Sequence, residues 1–251
     1  MKTIKVRGIV LKEMNMRESD KLLVIMTKEY GKILISAKNA RKPKSIFLGG
    51  TQLFCYCDFI LNINKNFLNL SQVELIHSFY EIRKDYEKLV YGQYILEVCD
   101  KLLLQNDISS EDKCSERLAY LLLRTLSTLS KKDLYPKLIC IIFKFKFFQL
   151  NGIAPEINSC SACSKKINRE RLIFFSVNGL ICEDCFKSTK VVHIKISNAT
   201  VLAIDYILSS DIKDIFKFKV TEVILYELWK CVNIFMIYHH DVYIKSKELI
   251  E

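Results

Sequence analysis

Four of the ten cysteines in this sequence occur as two pairs whose spacing is typical of metal binding. Cys160 and Cys163 form one Cys-x2-Cys pair, and Cys182 and Cys185 form a second after eighteen intervening residues. Each pair can present two thiolates from one tight turn, and the intervening segment is long enough for a hairpin that brings the pairs together. Four thiolates fill the tetrahedral shell of a zinc ion and leave no position for a substrate. The spacing therefore predicts one structural Zn²⁺.

Ordinary buried thiols, redox-active thiols and two disulfides are the alternatives for these four cysteines. The other six cysteines lie in apolar patterns and are interpreted as small core residues: Cys55, Cys57, Cys99, Cys114, Cys140 and Cys231. The paired four differ because they lie in polar, turn-rich sequence. Neither pair lies between a strand and a helix of a βαβ unit, as a thioredoxin-like motif requires. Metal binding is therefore the favoured interpretation.

Short apolar runs with alternating polar residues dominate the N-terminal part of the chain. They occur at residues 3–12, 22–27, 33–37, 53–61 and 67–75, separated by polar turns. Runs of this length and period are typical of β-strands. About five strands in fewer than 80 residues, followed by helices, predict a small closed barrel of the oligonucleotide-binding (OB) type over residues 1–78.

A basic stretch lies between the third and fourth predicted strands. Residues 38–45 contain Lys38, Arg41, Lys42 and Lys44 and no acid. Residues 1–78 hold 13 Lys and Arg against 6 Asp and Glu, or +7, which is most of the net charge of +10. A solvated surface is the simple alternative, but loops of this barrel type commonly bind nucleic acid. Aromatic residues that could include a stacking face are Tyr30, Phe47, Phe54, Tyr56 and Phe59, although core packing is the simpler role for each.

From residue 79 the apolar period becomes helical. Helices are predicted at residues 79–104, 115–129, 134–150, 197–208 and 221–238. Gly152 ends the third of these helices and Pro155 prevents its continuation. The predicted fold class is thus α+β and multidomain: an OB barrel (1–78), a helical domain in two parts (79–158 and 191–251), and an inserted four-cysteine zinc ribbon (159–190). The last two helices are expected to pack on the first three.

The sequence lacks the motifs of the common nucleotide-dependent and zinc-dependent enzymes. It has no Gly-rich phosphate loop ending in Lys-Ser or Lys-Thr, and no Gly-x-Gly-x-x-Gly motif. No His-x-Glu accompanies the cysteines, as zinc deaminases require. The charged N-terminus does not resemble a signal peptide, and no apolar run approaches bilayer length. We therefore expect a cytoplasmic protein that is not an enzyme.

These residues resemble the RecO family of bacterial recombination and repair proteins over nearly the whole chain. The barrel resemblance lies at residues 7–11, 17–22, 31–32, 37–45 and 49–50, and the helix-to-ribbon resemblance at residues 143–157, Cys160, Cys163, 179–182 and Cys185. Two positions depart from the usual pattern. Ser164 replaces a Gly that commonly follows the first cysteine pair, and Asn178 replaces the first Gly of a pair.

The resemblance implies a nucleoid-associated protein that binds single- and double-stranded DNA and anneals complementary strands. It also implies action with RecR, to help RecA load onto strands coated by single-stranded DNA-binding protein (SSB). The family's basic barrel surface is carried over onto Arg7, Lys38, Arg41, Lys42 and Lys44, with Arg7 expected near the loop. Lys144 and Lys146, beside Phe143 and Phe147, are candidates for binding the SSB tail.

Two other classes of function remain open from the residues alone. A zinc-ribbon transcription or regulatory factor would also be basic and would lack catalytic residues, but it would prefer a particular duplex sequence. A metal-dependent nucleic-acid enzyme would need an open coordination position on its metal.

Overall fold

The computed structural model describes residues 2–64, 67–106, 108, 113–131, 134–188, 190–239 and 242–250, without the side chains of residues 113 and 114. The chain divides into two compact units. The barrel unit comprises Met1–Asp133 and Ile244–Glu251, and the ribbon unit comprises Leu134–Tyr243. Within the described residues, no helix combines the length and apolar character that crossing a membrane requires.

Five strands close into a barrel at the start of the chain, which confirms the predicted strand count. They are β1 (Lys2–Met16), β2 (Asp20–Thr27), β3 (Gly31–Ala37), β4 (Tyr56–Asn64) and β5 (Phe67–His77), in the order β1-β2-β3-β5-β4. The long β1 strand pairs with β4 through residues 2–9 and with β2 through residues 8–16, with a register shift between Val10 and Lys12. A bulge of this kind bends a strand, so one strand can serve both sides of the closure.

The barrel core follows from the alternation of apolar residues. Along β3, Ile33, Ile35 and Ala37 point inward and are fully buried, while the residues between them are partly exposed. They join Phe59 and Leu61 of β4 in one apolar cluster. Burial of an aliphatic or aromatic side chain contributes about 1.5–3 kcal/mol each, so this cluster is the main stabilising element of the barrel.

Helices follow the barrel within the same unit. They are α1 (Tyr80–Arg83), α2 (Tyr86–Leu102) and α3 (Lys113–Ser130). The predicted helix at 79–104 is divided in two, because Asp85 is extended and its carboxylate caps α2 by accepting from the amide of Lys88 at 3.1 Å. The final segment, with a 3-10 helix at Lys245–Leu249, returns to α2.

Glu97 of α2 holds this final segment. Its carboxylate accepts the backbone amides of Lys245 and Ser246, both at 2.9 Å, and the Ser246 hydroxyl at 2.6 Å. These three bonds lower the pKa of Glu97 although burial opposes the shift. We call residues 244–249 the C-terminal clasp.

The ribbon unit combines three long helices with a small sheet. Its elements are α4 (Pro136–Leu150), β6 (Ile173–Ser176), β7 (Gly179–Cys182), α5 (Glu183–Phe186), β8 (His193–Ile196), α6 (Asn198–Ser209) and α7 (Glu222–His239), with the sheet order β7-β6-β8. Helix α4 packs against α6 and α7, and the rings of Phe148 and Phe235 meet at 5.4 Å. The last two long helices therefore pack on the third predicted helix.

Candidate metal centre and nucleic-acid interface

The two cysteine pairs come together in the ribbon unit. The four sulfur atoms of Cys160, Cys163, Cys182 and Cys185 all lie within 4.8 Å of one another, and the Cys163 and Cys182 sulfurs are 3.9 Å apart. A tetrahedral zinc site with Zn–S bonds of about 2.3 Å places its sulfurs about 3.8 Å apart. A disulfide needs about 2.05 Å. All four thiols are free, so this cysteine cluster fits a closed four-thiolate metal site and not a pair of disulfides.

Backbone hydrogen bonds shape the first cysteine pair. The Cys160 amide donates to the Lys165 carbonyl, and the Ser164 amide donates to the Cys160 carbonyl, both at 2.8 Å. Ser164 has a φ of 59°, a left-handed conformation that favours glycine. This explains why a Gly is the residue expected after the first pair.

The second pair is delivered by the β6–β7 hairpin, which turns at Gly179. This residue has a φ of 120°, and a Cβ built on it would lie 2.2 Å from the carbonyl oxygen of Glu156. The Leu180 amide donates to that same carbonyl at 2.7 Å. Glycine is therefore required here by both conformation and space, and the bond places β7 so that Cys182 faces the first pair.

The cluster also favours ionised sulfur at Cys160. Burial opposes ionisation, but backbone N–H groups of Cys182, Ala162 and Cys163 point at the sulfur and lower the pKa of Cys160 to about 6. Hydrogen bonds with Cys163 and Cys182 raise the pKa of Cys185 to about 12. A divalent cation binds thiolates, and its charge would favour the ionised form of every ligand.

Glu183 and Asp184, which lie between the two cysteines of the second pair, bind an arginine outside the cysteine cluster. Glu183 accepts from Nε of Arg171 at 3.2 Å, and Asp184 accepts from both terminal nitrogens of Arg171 at 3.0 and 3.1 Å. These contacts direct both carboxylates to Arg171. They also occupy the guanidinium of Arg171.

Of the remaining cysteines, Cys55, Cys57, Cys99, Cys140 and Cys231 are buried, as predicted for core residues. The side chain of Cys114 lies outside the described residues.

The predicted DNA-binding loop projects from the barrel between β3 and β4. Lys38, Arg41, Lys42 and Lys44 are all exposed, and none has a carboxylate partner among the residues that the structure describes. We call residues 38–48 the basic loop.

Contacts with the β1–β2 turn hold the start of the basic loop in place. The Arg41 amide donates to the Ser19 carbonyl at 2.9 Å. The Asn39 amide donates to the Asp20 carboxylate at 2.7 Å. The Arg41 guanidinium itself donates to backbone carbonyls of that turn, at 3.3 and 3.4 Å. The loop is thus fixed by its backbone while its charges stay available.

Arg7, unlike the cations of the basic loop, is paired with a carboxylate. Its guanidinium donates to both carboxylate oxygens of Asp58, at 2.6 and 3.0 Å, and Lys5 lies 2.9 Å from the same carboxylate. The hydrogen bond from Arg7 is the largest reason that the pKa of Asp58 falls to about 2, and Asp58 in turn raises the pKa of Arg7.

The structure also places Arg7 apart from the basic loop, contrary to the expectation that the two are neighbours. The Arg7 carbonyl accepts the Lys28 amide at the β2–β3 turn, whereas Arg41 binds the β1–β2 turn. Strand β2 separates these turns, a run of about 23 Å at the usual rise per residue. Register between strands determines this separation, and it is not visible in the spacing of the sequence.

Arg7 instead lines a groove of about 370 Å³ in the barrel unit, with Tyr56 and with Arg117 and Tyr120 of α3. Lys28 also lines it and is paired with Glu116 at 3.0 Å. Two of the three cations of this groove are therefore matched by acids, unlike those of the basic loop.

Lys144 and Lys146, the candidates for binding the SSB tail, do not lie on the surface. Both side chains are buried in the ribbon unit. Nζ of Lys144 donates to Asn233 at 2.7 Å and lies 5.0 Å from the Trp229 ring centre. Nζ of Lys146 donates to the carbonyls of Leu208 at 2.8 Å and Ser210 at 2.7 Å, at the end of α6. Because most of α4 is buried, these two lysines bind carbonyl and amide oxygens inside the unit.

Most of the candidate stacking aromatics belong to the barrel core. Phe54 and Phe59 are buried, Tyr30 and Phe47 pack against the core cluster, and Tyr56 lines the groove. The most exposed apolar side chain of the basic loop is Ile46, at 80%. The sequence gives little sign of this exposure, because Ile46 begins the apolar run Ile46-Phe47-Leu48 directly after the basic residues, and such a run is usually buried.

Comparison with known proteins agrees with the resemblance seen in the sequence. Residues 1–79 match the family described as "Recombination protein O N terminal", and residues 83–248 match "Recombination protein O C terminal". A protein of Acetivibrio thermocellus named "DNA repair protein RecO" is 36% identical over 92% of this chain and 89% of its own length. A protein of the same name from Alkaliphilus metalliredigens is 33% identical over 95% of this chain and 94% of its own length. Another, from a Thermoanaerobacter species, is 31% identical over 100% of this chain and 98% of its own length. The chain therefore belongs to the Recombination protein O family of DNA repair proteins.

Proposed function

We propose that this chain is a non-enzymatic recombination mediator that binds single- and double-stranded DNA and anneals complementary strands through the basic loop of its barrel. The family's role is DNA repair and recombination. The closed barrel with the strand order β1-β2-β3-β5-β4 supports an OB-type barrel as the DNA-binding part. An annealing protein has to offset the repulsion between two polyanions, and it needs no hydrolytic site.

The observation that carries this proposal is the difference between paired and unpaired cations in the barrel unit. Among the described residues of this unit, seven cations lie within 4.0 Å of a carboxylate: Lys5, Arg7, Lys12, Lys21, Lys28, Lys32 and Lys84. The four cations of the basic loop are exposed, with no such partner in the described part of the chain. A phosphate that binds the loop displaces counterions only, whereas a phosphate at a paired cation competes with a carboxylate.

We further propose that the cysteine cluster holds one structural zinc ion. Bound there, zinc supplies folding free energy to the ribbon and no catalytic chemistry, because four thiolates leave it no open position. Cys160, Cys163, Cys182 and Cys185 hold the ion, while Glu183 and Asp184 stay with Arg171.

RecR, the SSB tail and RecA complete the proposal as partners, supported by membership of the family. The contact for the SSB tail is not assigned to Lys144 and Lys146, because their ammonium groups bind oxygen atoms inside the ribbon unit. Annealing of complementary strands coated with SSB, with and without RecR, tests this part directly.

The test of the DNA site removes the four loop cations together. We expect Lys38→Ala, Arg41→Ala, Lys42→Ala and Lys44→Ala combined to weaken single-strand binding strongly. Each lost phosphate contact lowers the log-log salt slope by about 0.7, so the total change is about 3. Binding is measured by fluorescence anisotropy across a salt series, and annealing is measured with complementary strands.

A matched control removes the same charge from the ribbon unit, with Lys165→Ala, Lys166→Ala, Arg169→Ala and Lys187→Ala combined. All four residues are exposed, and none has an ion-pair partner among the described residues. We expect this variant to keep most of the wild-type slope. A loop variant with wild-type affinity and slope would refute the loop as the DNA site. Equal losses in both variants would show a general charge effect.

A further inference from the structure

Ile46 stands out at the tip of the basic loop because its side chain is 80% exposed while its neighbour Phe47 packs against the barrel core. Successive turns fix this outward position. The Ser45 amide donates to the Lys42 carbonyl at 2.9 Å, and the Leu48 amide donates to the Ser45 carbonyl at 3.3 Å. Phe47 thus anchors the loop, and Ile46 is presented to solvent.

Single exposed apolar side chains are common on protein surfaces and need no explanation by themselves. The surroundings distinguish Ile46. Lys42 and Lys44 precede it, Leu48 beside it is 39% exposed, and the sequence from Lys38 to Cys55 contains no acid. An apolar tip among cations is complementary to a ligand that combines a regular array of anions with apolar surfaces between them. A nucleic-acid strand has this chemistry, with phosphates along its backbone and base faces beside them.

An anionic membrane shares part of this chemistry, but a single isoleucine and a half-exposed leucine offer too little apolar area for stable insertion into lipid. Aliphatic side chains of this size, by contrast, are known to insert between neighbouring bases. The loop also belongs to the part of the chain with the largest surplus of cations.

We propose that Ile46 is a wedge that enters between two adjacent unpaired bases of single-stranded DNA, while Lys42 and Lys44 bind the phosphates on either side. This inference rests on the proposed function and adds the contact that separates bases. It applies to single strands because separating two stacked bases costs least where no base pair is lost. A strand held with separated bases would present their pairing edges to a second strand.

The test uses single strands of about 20 nucleotides, each with one 2-aminopurine at a different position, because this base becomes brighter when it is unstacked. We expect wild-type protein to raise the fluorescence at least about twofold at one or more positions. Ile46→Ser should abolish the rise and weaken single-strand binding about fivefold, because an apolar contact is lost while the cations remain. Binding to a duplex of the same length should be unchanged.

Two matched variants separate the wedge from a general effect of the substitution. Leu104→Ser removes another highly exposed apolar side chain of the barrel unit, at 86%, and should keep the wild-type rise. Ile46→Phe keeps an apolar wedge and should also keep it. Zinc content and circular dichroism should be the same for all three variants, since neither side chain contributes to the core.

The possible negative results refute different parts of the two proposals. If Ile46→Ser keeps the fluorescence rise, or if no position brightens with wild-type protein, the wedge is refuted while the basic loop stands. If the variant without loop cations binds DNA as wild type does, the proposed function fails as well. If wild-type protein binds phosphatidylserine vesicles and Ile46→Ser does not, the exposed side chain serves a lipid surface and the wedge is refuted.

Discussion

In the barrel, thirteen buried residues from the strands and the loop after β3 form one apolar cluster, whereas the ribbon strands β6, β7 and β8 have four residues each. The barrel therefore derives its stability from buried area distributed over many side chains. The ribbon sheet buries fewer apolar side chains, such as Phe175 and Leu180, and depends in addition on specific positions: four cysteines, the left-handed Ser164, and Gly179 against the backbone of Glu156. We expect the two regions to tolerate substitutions very differently.

The two regions also differ in whether acids lie beside their cations. The cations of the basic loop face solvent without an acid in the same stretch of sequence. In the ribbon, Arg171 is bound by Glu183 and Asp184, and a zinc ion with four thiolates would carry a net charge of −2. The ribbon thus differs from the basic loop in holding acids beside one of its cations, although Lys165, Lys166, Arg169 and Lys187 have no ion-pair partner among the described residues.

The largest effect is expected from the removal of a metal ligand. Cys182→Ser should eliminate zinc binding and expose the amides of β6 and β7 to hydrogen exchange, because structural zinc contributes apparent free energies of about 10–16 kcal/mol. The barrel strands should keep their protection. Metal analysis of reduced protein and amide exchange measured in both regions check this prediction.

Ser161→Ala in the first cysteine pair is the control for this variant, since it changes the same segment without removing a sulfur. It should keep about one zinc ion per chain. Wild-type protein that contains no zinc when kept reduced would contradict the comparison, as would a loss of barrel protection in Cys182→Ser.

The next largest effect is expected at a glycine of the ribbon unit. Gly179→Ala should destabilise the hairpin by about 3 kcal/mol or more, because its Cβ would lie within 2.4 Å of two backbone atoms of Glu156. Gly152→Ala also has a positive φ, of 78°, but its Cβ would meet nothing within 4 Å. It should cost only about 1 kcal/mol. Exchange of the Leu180 amide distinguishes the two, and equal effects would show that space at Gly179 is unimportant.

A smaller effect concerns the barrel and depends on pH. The pKa of Asp58 is about 2 in the folded protein, below the usual value of about 3.9 in an unfolded chain. The stabilisation is therefore present above about pH 4 and is lost as the pH falls from about 4 to 2. After screening of the half-exposed Arg7 is allowed for, Asp58→Asn should lose about 1–2 kcal/mol at pH 7 and almost nothing at pH 2.

Urea unfolding of wild type and Asp58→Asn between pH 2 and pH 7 measures the difference in their free energies of unfolding. Any loss of metal at low pH affects both proteins and therefore does not contribute to this difference. A difference that does not change with pH would show that packing, and not the ion pair with Arg7, determines the effect.

The smallest effect is a stabilisation. Ser164→Gly should stabilise the first cysteine pair by about 0.5–1 kcal/mol, because glycine adopts a φ of 59° without strain. Ser161→Gly, in the same turn but without a positive φ, should destabilise it slightly. Competition with a zinc chelator measures both, and a weaker hold on zinc in Ser164→Gly would be the opposite of our expectation.

The sequence was sufficient where a pattern is local. Alternating residues predicted the five barrel strands because each strand buries one face, and the cysteine spacing predicted the cluster because each pair occupies one turn. The left-handed turn at Ser164 was also visible as a departure from the glycine usual at that position.

The sequence was insufficient where partners are distant along the chain. Arg7 and Asp58 meet only because β1 and β4 pair in one particular register. Lys144 and Lys146 were candidates for binding the SSB tail, yet they are buried, and their partners come from α6, α7 and the segment after α6. Long-range packing, which periodicity does not encode, determines each of these environments.

The C-terminal clasp bears on the order in which the chain can fold. During synthesis the barrel and α1–α3 emerge first, but Glu97 receives the amides of Lys245 and Ser246 only after the whole ribbon unit has been made. Until then α2 carries a carboxylate without these donors. Folding of the ribbon unit shortens the effective loop between the two parts of the barrel unit, so it lowers the entropic cost of closing the clasp. Metal uptake in one unit would thereby assist the completion of the other during translation.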